Sequence, residues 1–359
     1  MPSLADIFQR YGAVYLRKNE PVLPSHRKAI RDIVRCRTPD IEAGGIYRCN
    51  DCGHVHYAYR SCGNRHCPRC GHDKIDQWLH KQQQLLLPVD YFLVTFTLPH
   101  ELNTVAYARQ REIYGAMFTT SSSALKELAM DRRFLGAHIG MLGVLQTWKR
   151  NLDFHVHIHY LVPGGGLSPD GKQWLYPRNK DFLVHGKPLG LLFRGKLRDR
   201  LKELELDSQV PAQVWRKDWV VDCVPVGDGQ RTLKYLGPYV HRVALSDHRI
   251  SDLQDHQVTY RYKPSRSQRV TTRTLPVLTF ITLFLKHVLP RRFMKVRSYG
   301  LLASASRRTL QSIRLAVLTS RSQPPQPKVS PTTHSISCPH CGGVMEHVGF
   351  IAFPRPPPA

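Results

Sequence analysis

The segment Leu152 to Val162, LDFHVHIHYLV, places His155, His157 and His159 on alternate positions, with Phe154, Val156, Ile158 and Tyr160 interleaved. On a β-strand this alternation sends the apolar residues to one face and the imidazoles to the other. Three imidazoles in a row would repel one another if protonated, so the pattern points to a bound ion. Neighbouring members of the row lie about 7 Å apart along the backbone and the outer two about 13 Å apart, so one ion takes two of the three.

The residues on the C-terminal side of the row choose the pair. His157 and His159 run directly into the apolar YLV, as in the histidine-hydrophobe-histidine strands of nucleases that cut one DNA strand, and His155 is the weaker choice. The upstream run MLGVLQTW is joined to the row by the short KRNLD connection, so a hairpin brings Gln146 beside the histidines on the same face. Gln146 is therefore a candidate third ligand. A hydrolytic zinc centre of another kind fits less well: HIHYLV has no Asp-His continuation, and the motif sits mid-chain rather than on a first strand.

A second set of ligand-type residues lies upstream, in CNDCGHVHYAYRSCGNRHCPRC. Cys49 and Cys52 form one C-x-x-C knuckle and Cys67 and Cys70 another, an arrangement expected to hold one structural, tetrahedral Zn²⁺ by four thiolates. Cys36, Cys62, His54, His56 and His66 remain to complete a second site or to exchange with the first four. Arg60, Arg65, Arg69 and Lys74 surround the cluster, and we expect them to grip DNA phosphates. Near the C-terminal end Cys338 and Cys341 form half a site, which His334, His340 or His347 could join.

Composition narrows the partner. The chain has 359 residues, with 52 Lys and Arg against 27 Asp and Glu, a net charge of +25 that points to a nucleic acid. No concentrated basic amphipathic helix favours a membrane surface, and the longest apolar run, LPVLTFITLFL, is too short to span a bilayer. Nine cysteines, six of them between Cys36 and Cys70, suit thiolate ligands in a reducing compartment. MPSLADIFQRYG shows no secretion signal, so the expected location is cytoplasmic.

The elements that must position these residues are set by periodicity. YFLVTFTLP, MLGVLQTW, FHVHIHYLV and DWVVDCVPV read as strands, with helical stretches over Glu101 to Leu128 and Phe193 to Leu206 and a helix stopped at Pro88. The order is α+β rather than strictly alternating. The expected division is a zinc-binding module over 1–88, a catalytic domain over 89–262, a basic extension over 263–320, and a Pro-rich linker with a Cys-containing tail over 321–359.

In RTLKYLGPYVHRVAL, Tyr235 and Tyr239 are spaced i, i+4, so on a helix they share a face. With this pair, with CRT at Cys36, SCGNRHCPRC, FTLPHELN, QTWKRNLDFHVHIHYLVPGGG, YLGPYVHRVAL and FLKHVLPRRFMKVRSYG, the sequence from about Arg31 to Leu302 resembles the two-tyrosine HUH transposases of the insertion-sequence ninety-one family. These move DNA by a rolling-circle route. The resemblance implies an N-terminal zinc-binding domain, then an HUH endonuclease domain on a central antiparallel sheet flanked by helices. It implies that His157 and His159 hold a catalytic Mg²⁺ or Mn²⁺ and that Tyr235 and Tyr239 are nucleophiles that join 5′ phosphates of single-stranded element ends and target DNA. Gln146 stands where the family has a histidine before Thr-Trp, and its amide oxygen is an alternative donor. Pro238 stands between the tyrosines where a basic residue is usual, and a proline inside a helix removes a backbone bond, which favours Tyr235 as the better-aimed nucleophile. A plasmid replication initiator or relaxase shares this chemistry; a zinc-dependent DNA-binding protein without catalysis is the alternative of another class.

Overall fold

The computed structural model describes residues 1–70, 78–229, 233, 237, 240, 244–264, 267, 269–306, 312–313 and 336–352. Two helices open the chain, α1 (Leu4–Lys18) and α2 (Pro24–Arg35). Ser3 and Asp6 cap α1 reciprocally, each side chain accepting the other's backbone N–H. Asp247, far along the chain, accepts the N–H of Leu4 at 2.9 Å. The buried stripe Leu4, Ile7, Phe8 and Tyr15 then faces inward at helical spacing. Strands β1 (Ala43–Cys49) and β2 (Val55–Tyr59) come next as an antiparallel hairpin.

The strands expected from periodicity are all present. They are β3 (Asp90–Thr97), β4 (Gly140–Trp148), β5 (Phe154–Pro163) and, after the short β6 (Gly166–Leu167) and β7 (Trp174–Leu175) ribbon, β8 (Val221–Asp228). The helices between them are α3 (Asn103–Ala108), α4 (Gln110–Met130) and α5 (Gly186–Glu203). The hairpin pair β9 (Ile250–Gln254) and β10 (Gln257–Tyr262), then β11 (Thr271–Pro276), lead into α6 (Val277–Leu285), which is the apolar run LPVLTFITLFL. β12 (Val296–Gly300) and β13 (Met345–Ala352) complete the order. The architecture is α+β, with a central five-stranded antiparallel sheet ordered β12-β4-β5-β3-β8.

One face of this sheet carries Phe96, Leu145, Val156, Ile158 and Tyr160, packed with α4 and α5 into the largest core. The opposite face carries the alternate residues; its buried portion joins Tyr91, Leu142 and Leu161 to Leu86 and Leu233. A third core unites α1 and α2 with β10 and α6, where Phe8 meets Phe284 edge to face at 5.6 Å. Packing units draw on distant stretches of the chain. The 263–320 stretch supplies both α6, which packs on the first helices, and β12, an edge of the central sheet. The tail supplies β13, which pairs with β1. Among the described residues, no helix is long and apolar enough to cross a membrane.

Gly143 lets the row-bearing hairpin close. A Cβ at this position would lie 2.5 Å from Cε1 of Tyr160, whose ring lies across β4 with its hydroxyl on Ser121 at 2.8 Å. The Tyr160 ring is fully buried and its hydroxyl is bonded, so Gly143→Ala should destabilise the protein by about 1–3 kcal/mol, the usual scale of overpacking. Urea unfolding of the two proteins checks this; equal midpoints would mean that the ring is free to move.

Candidate metal centre and thiolate clusters

The alternation read from the sequence is realised on β5. Val156, Ile158 and Tyr160 enter the main core, while the three imidazoles stand on the other face. β4 and β5 pair so that Gln146 is directly opposite His157, and β3 places Thr97 opposite His157 and Thr95 opposite His159. The expected juxtaposition of Gln146 with the row is therefore met. Ring centroids are 4.8 Å apart for His157 and His159 and 5.1 Å for His155 and His157. The row is not a three-histidine cluster: its ring nitrogens do not all converge on one point.

The hydrogen bonds orient donor atoms. Nδ1 of His157 lies 3.0 Å from the carbonyl oxygen of His155, which can only accept, so Nδ1 carries the proton. Burial first, and then the neighbouring His159 and His155, push the His157 pKa down to about 3, so the ring is neutral and Nε2 holds a lone pair. That atom is 3.1 Å from Oε1 of Gln146, and the Gln146 amide is held in this orientation by its Nε2–H, which donates to the Trp148 carbonyl at 3.4 Å. Two acceptors thus face each other in a buried place. Burial also lowers the His159 pKa to about 4, and its Nδ1 is 2.9 Å from the Thr95 hydroxyl. His155 is half-buried, its pKa lowered by burial and by Lys149. A cation between Gln146 and His157, with His159 adjacent, would relieve the opposed lone pairs, so the donor set fits a divalent metal.

His287, which lies within FLKHVLPRRFMKVRSYG but is given no role there, ties together the two ends of the β4–β5 connection. Its Nε2–H donates to the Leu152 carbonyl at 3.0 Å, and its Nδ1 is 3.3 Å from the Thr147 hydroxyl. Phe154 stacks near it, with centroids 6.1 Å apart. A histidine placed between an apolar helix and a proline could have been singled out as a buried polar residue, but its partners are more than 130 positions away.

The thiolates need a correction. Cys49, Cys52, Cys67 and Cys70 do not surround one point; the fold divides the two knuckles between separate clusters. Cys67 and Cys70 join Cys36 and Cys62, while Cys49 and Cys52 join Cys338 and Cys341, each set having its sulfurs within 4.8 Å of one another. The physical cause is the β1–β2 hairpin, which carries the first knuckle away from the second, and the end of α2, which delivers Cys36. In the first cluster Cys70 lies 3.2 Å from Cys36 and 3.4 Å from Cys62, near the roughly 3.8 Å edge of a tetrahedron with Zn–S of about 2.3 Å. His66 is not a ligand here. Its Nε2 accepts the Leu289 N–H at 3.2 Å, and burial drives its pKa well down.

The arginines expected to grip phosphates are partly spent on the fold. Arg65 donates to the Phe293 carbonyl, and Arg69 donates to the Cys36 carbonyl at 3.3 Å and the Ser3 hydroxyl at 3.2 Å. Arg60 is exposed. Lys74, Tyr235 and Tyr239 lie outside the described residues. Leu233 is described: it is fully buried and joins the cluster that includes Leu161, a residue of the face that carries the histidine row.

Comparison with known proteins gives two family matches, a transposase zinc-binding domain over residues 7–98 and a putative transposase over residues 140–309. The putative transposase y4qJ of Sinorhizobium fredii is 37% identical over 326 residues, covering 85% of this chain and 81% of that protein. The transposase for insertion sequence element IS801 of Pseudomonas savastanoi pv. phaseolicola is 26% identical over 279 residues, covering 72% of this chain and 66% of that protein. No solved structure matches the chain.

The His287 arrangement makes stability pH-dependent with a definite sign. Burial lowers its pKa to about 4, below the ordinary histidine value of 6.5. Below pH 6.5 the unfolded chain takes up a proton that the folded chain refuses, so stability falls as pH drops from 6.5 towards 4. At pH 5 this one group costs about 2 kcal/mol relative to pH 8. In His287→Gln, which does not titrate, the loss between pH 8 and pH 5 should shrink by about that amount in urea unfolding; an unchanged loss would assign the dependence to other groups.

Proposed function

From the premise that the chain belongs to the insertion-sequence ninety-one family of transposases, with that family's zinc-binding domain at its N-terminal side, we propose that it nicks and rejoins single-stranded DNA through a 5′-phosphotyrosine link during rolling-circle transposition. The observation that carries this reading is the opposed acceptor pair, Gln146 Oε1 and His157 Nε2 at 3.1 Å, with His159 beside it on the same strand. A Mg²⁺ or Mn²⁺ bound there would bring positive charge to the oxygens of a scissile phosphate and fix its orientation for in-line attack.

The chain's own residues do the rest. The His155 carbonyl orients the His157 ring and the Thr95 hydroxyl bonds the His159 ring, and burial keeps both rings neutral. Tyr235 or Tyr239 is the nucleophile. Its phenol gives up its proton as oxygen attacks phosphorus, and the departing 3′ oxygen takes a proton to become a free hydroxyl. One phosphodiester is exchanged for another, so a second strand's 3′ hydroxyl can reverse the step without ATP. Leu233, two residues before Tyr235 in the sequence, is buried in the cluster that also holds Leu161 of the row-bearing face. The net charge of +25 supplies sequence-independent attraction to the DNA backbone.

His157→Ala and His159→Ala should each lower formation of a covalent protein–DNA adduct by roughly 10²-fold or more, the scale of losing one transition-state contact, with DNA binding retained. Gln146→Ala should lower it less and raise the metal concentration needed. Labelled single-stranded terminal DNA, incubated with Mg²⁺ and run on a denaturing gel, reads this directly, with Tyr235→Phe, Tyr239→Phe and their double mutant in parallel. An adduct surviving in the double mutant would remove both tyrosines from the chemistry, and equal loss for His155→Ala would mean that the row is structural.

A further inference from the structure

The family's zinc-binding match ends at residue 98, so it contains the Cys36, Cys62, Cys67, Cys70 cluster whole and only half of the other. The other half comes from the far end of the chain: Cys338 stands 286 positions after Cys52 and Cys341 stands 292 after Cys49. The two halves are built alike. The Gly53 N–H donates to the Cys49 carbonyl at 3.0 Å, and the Gly342 N–H to the Cys338 carbonyl at 2.9 Å. The Cys49 N–H donates to the His54 carbonyl at 2.9 Å, and the Cys338 N–H to the Gly343 carbonyl at 2.7 Å. Each knuckle ends in a glycine at positive φ, 72° for Gly53 and 79° for Gly342, a conformation that other residues rarely adopt. Backbone N–H groups also point at sulfur: His54 at Cys52, Gly343 at Cys341, and His340 at Cys338 at 3.4 Å.

These repeated turns bring four sulfurs together across the β1–β13 pairing, in which Cys49 is opposite Met345. Cys49 to Cys341 is 3.4 Å and Cys52 to Cys338 is 3.7 Å, too long for disulfides and right for a tetrahedral metal. A Cβ at Gly343 would meet the carboxylate of the exposed Asp51, which would have to turn aside. Two matched knuckles, N–H groups aimed at sulfur and a strand pairing that brings them face to face make a built site.

We propose that Cys49, Cys52, Cys338 and Cys341 bind a second zinc ion, which clasps the C-terminal segment onto the N-terminal module and completes a three-stranded zinc ribbon from the two ends of the chain. Four thiolates in tetrahedral array select zinc among abundant divalent ions, and the sulfur-directed N–H groups stabilise their charge. The ribbon closes only when the chain has been made through Cys341, so the N-terminal module is finished last.

Metal analysis of the full chain, purified without chelators, tests the site. Wild type should carry two zinc ions, and Cys52→Ser, Cys341→Ser and Cys338→Ser one each, as should Cys62→Ser by loss of the other. Cys52 and Cys341 are exposed, so serine there leaves no void in a core. One zinc in wild type, two retained in Cys338→Ser/Cys341→Ser, or iron in place of zinc would overturn the proposal. For the clasp, a site-specific protease sequence is inserted between Gln323 and Pro324. After cleavage the C-terminal fragment should co-elute with the body in the wild-type background and separate from it in Cys341→Ser. Separation in wild type, or retention in Cys341→Ser, would show that zinc is not what holds the segment.

Discussion

The antiparallel register of β4 on β5 is the constraint on which the site depends. Side chains alternate with period two, so a slip by one residue would send His157 and His159 into the helical core and expose Ile158 and Tyr160. The core prevents that slip. Tyr160 fills the space left by Gly143 and bonds Ser121, while Val156 and Ile158 pack among α4 and α5. With the register fixed from one face, the other face presents Gln146 against His157 without further choice. The apolar residues between the histidines thus determine where the donor atoms stand.

The second organising feature is closure over long sequence distances. Asp247 caps α1, α6 packs on α1, β12 borders β4, and β13 borders β1. Loop-closure cost rises only slowly, about 0.6 kcal/mol for each doubling of loop length, so contacts hundreds of residues apart are not prohibitive once a good interface exists. The apolar α6 supplies such an interface to the first helices. A tetrathiolate zinc, at about 10–16 kcal/mol in small zinc modules, exceeds the closure cost by a wide margin.

Much of the site was legible because its determinants are local. The alternation in FHVHIHYLV gave the strand and its two faces, and the short KRNLD connection gave the hairpin that brings Gln146 to the row. The four strands of the expected sheet pair as one sheet, to which β12 adds a fifth. The cysteines depart from their local pattern for the complementary reason. Two C-x-x-C knuckles close in sequence look like one site, whereas the hairpin between them carries the first outward and the partners of each come from elsewhere, Cys36 at a helix end and Cys338 with Cys341 beyond a long Pro-rich stretch. Arg65 and Arg69 illustrate the same limit. Their charge suggested phosphate, yet each guanidinium donates to a backbone carbonyl that spacing could not reveal.

Charge and burial pull in opposite directions around the row, and the balance bears on what it can bind. The chain carries +25, which favours anionic DNA and would oppose further positive charge. A protonated imidazole row would add to that charge while leaving no lone pair for a metal. Burial settles the competition by holding His157 near 3 and His159 near 4, so that neither ring is charged at neutral pH. The same burial weakens competition from water, and the Gln146 oxygen adds a neutral donor rather than a carboxylate. If the proposed divalent cation binds there, three neutral donors would leave it its full double charge, which suits a phosphate ligand; a carboxylate-rich site would neutralise it before a substrate arrived.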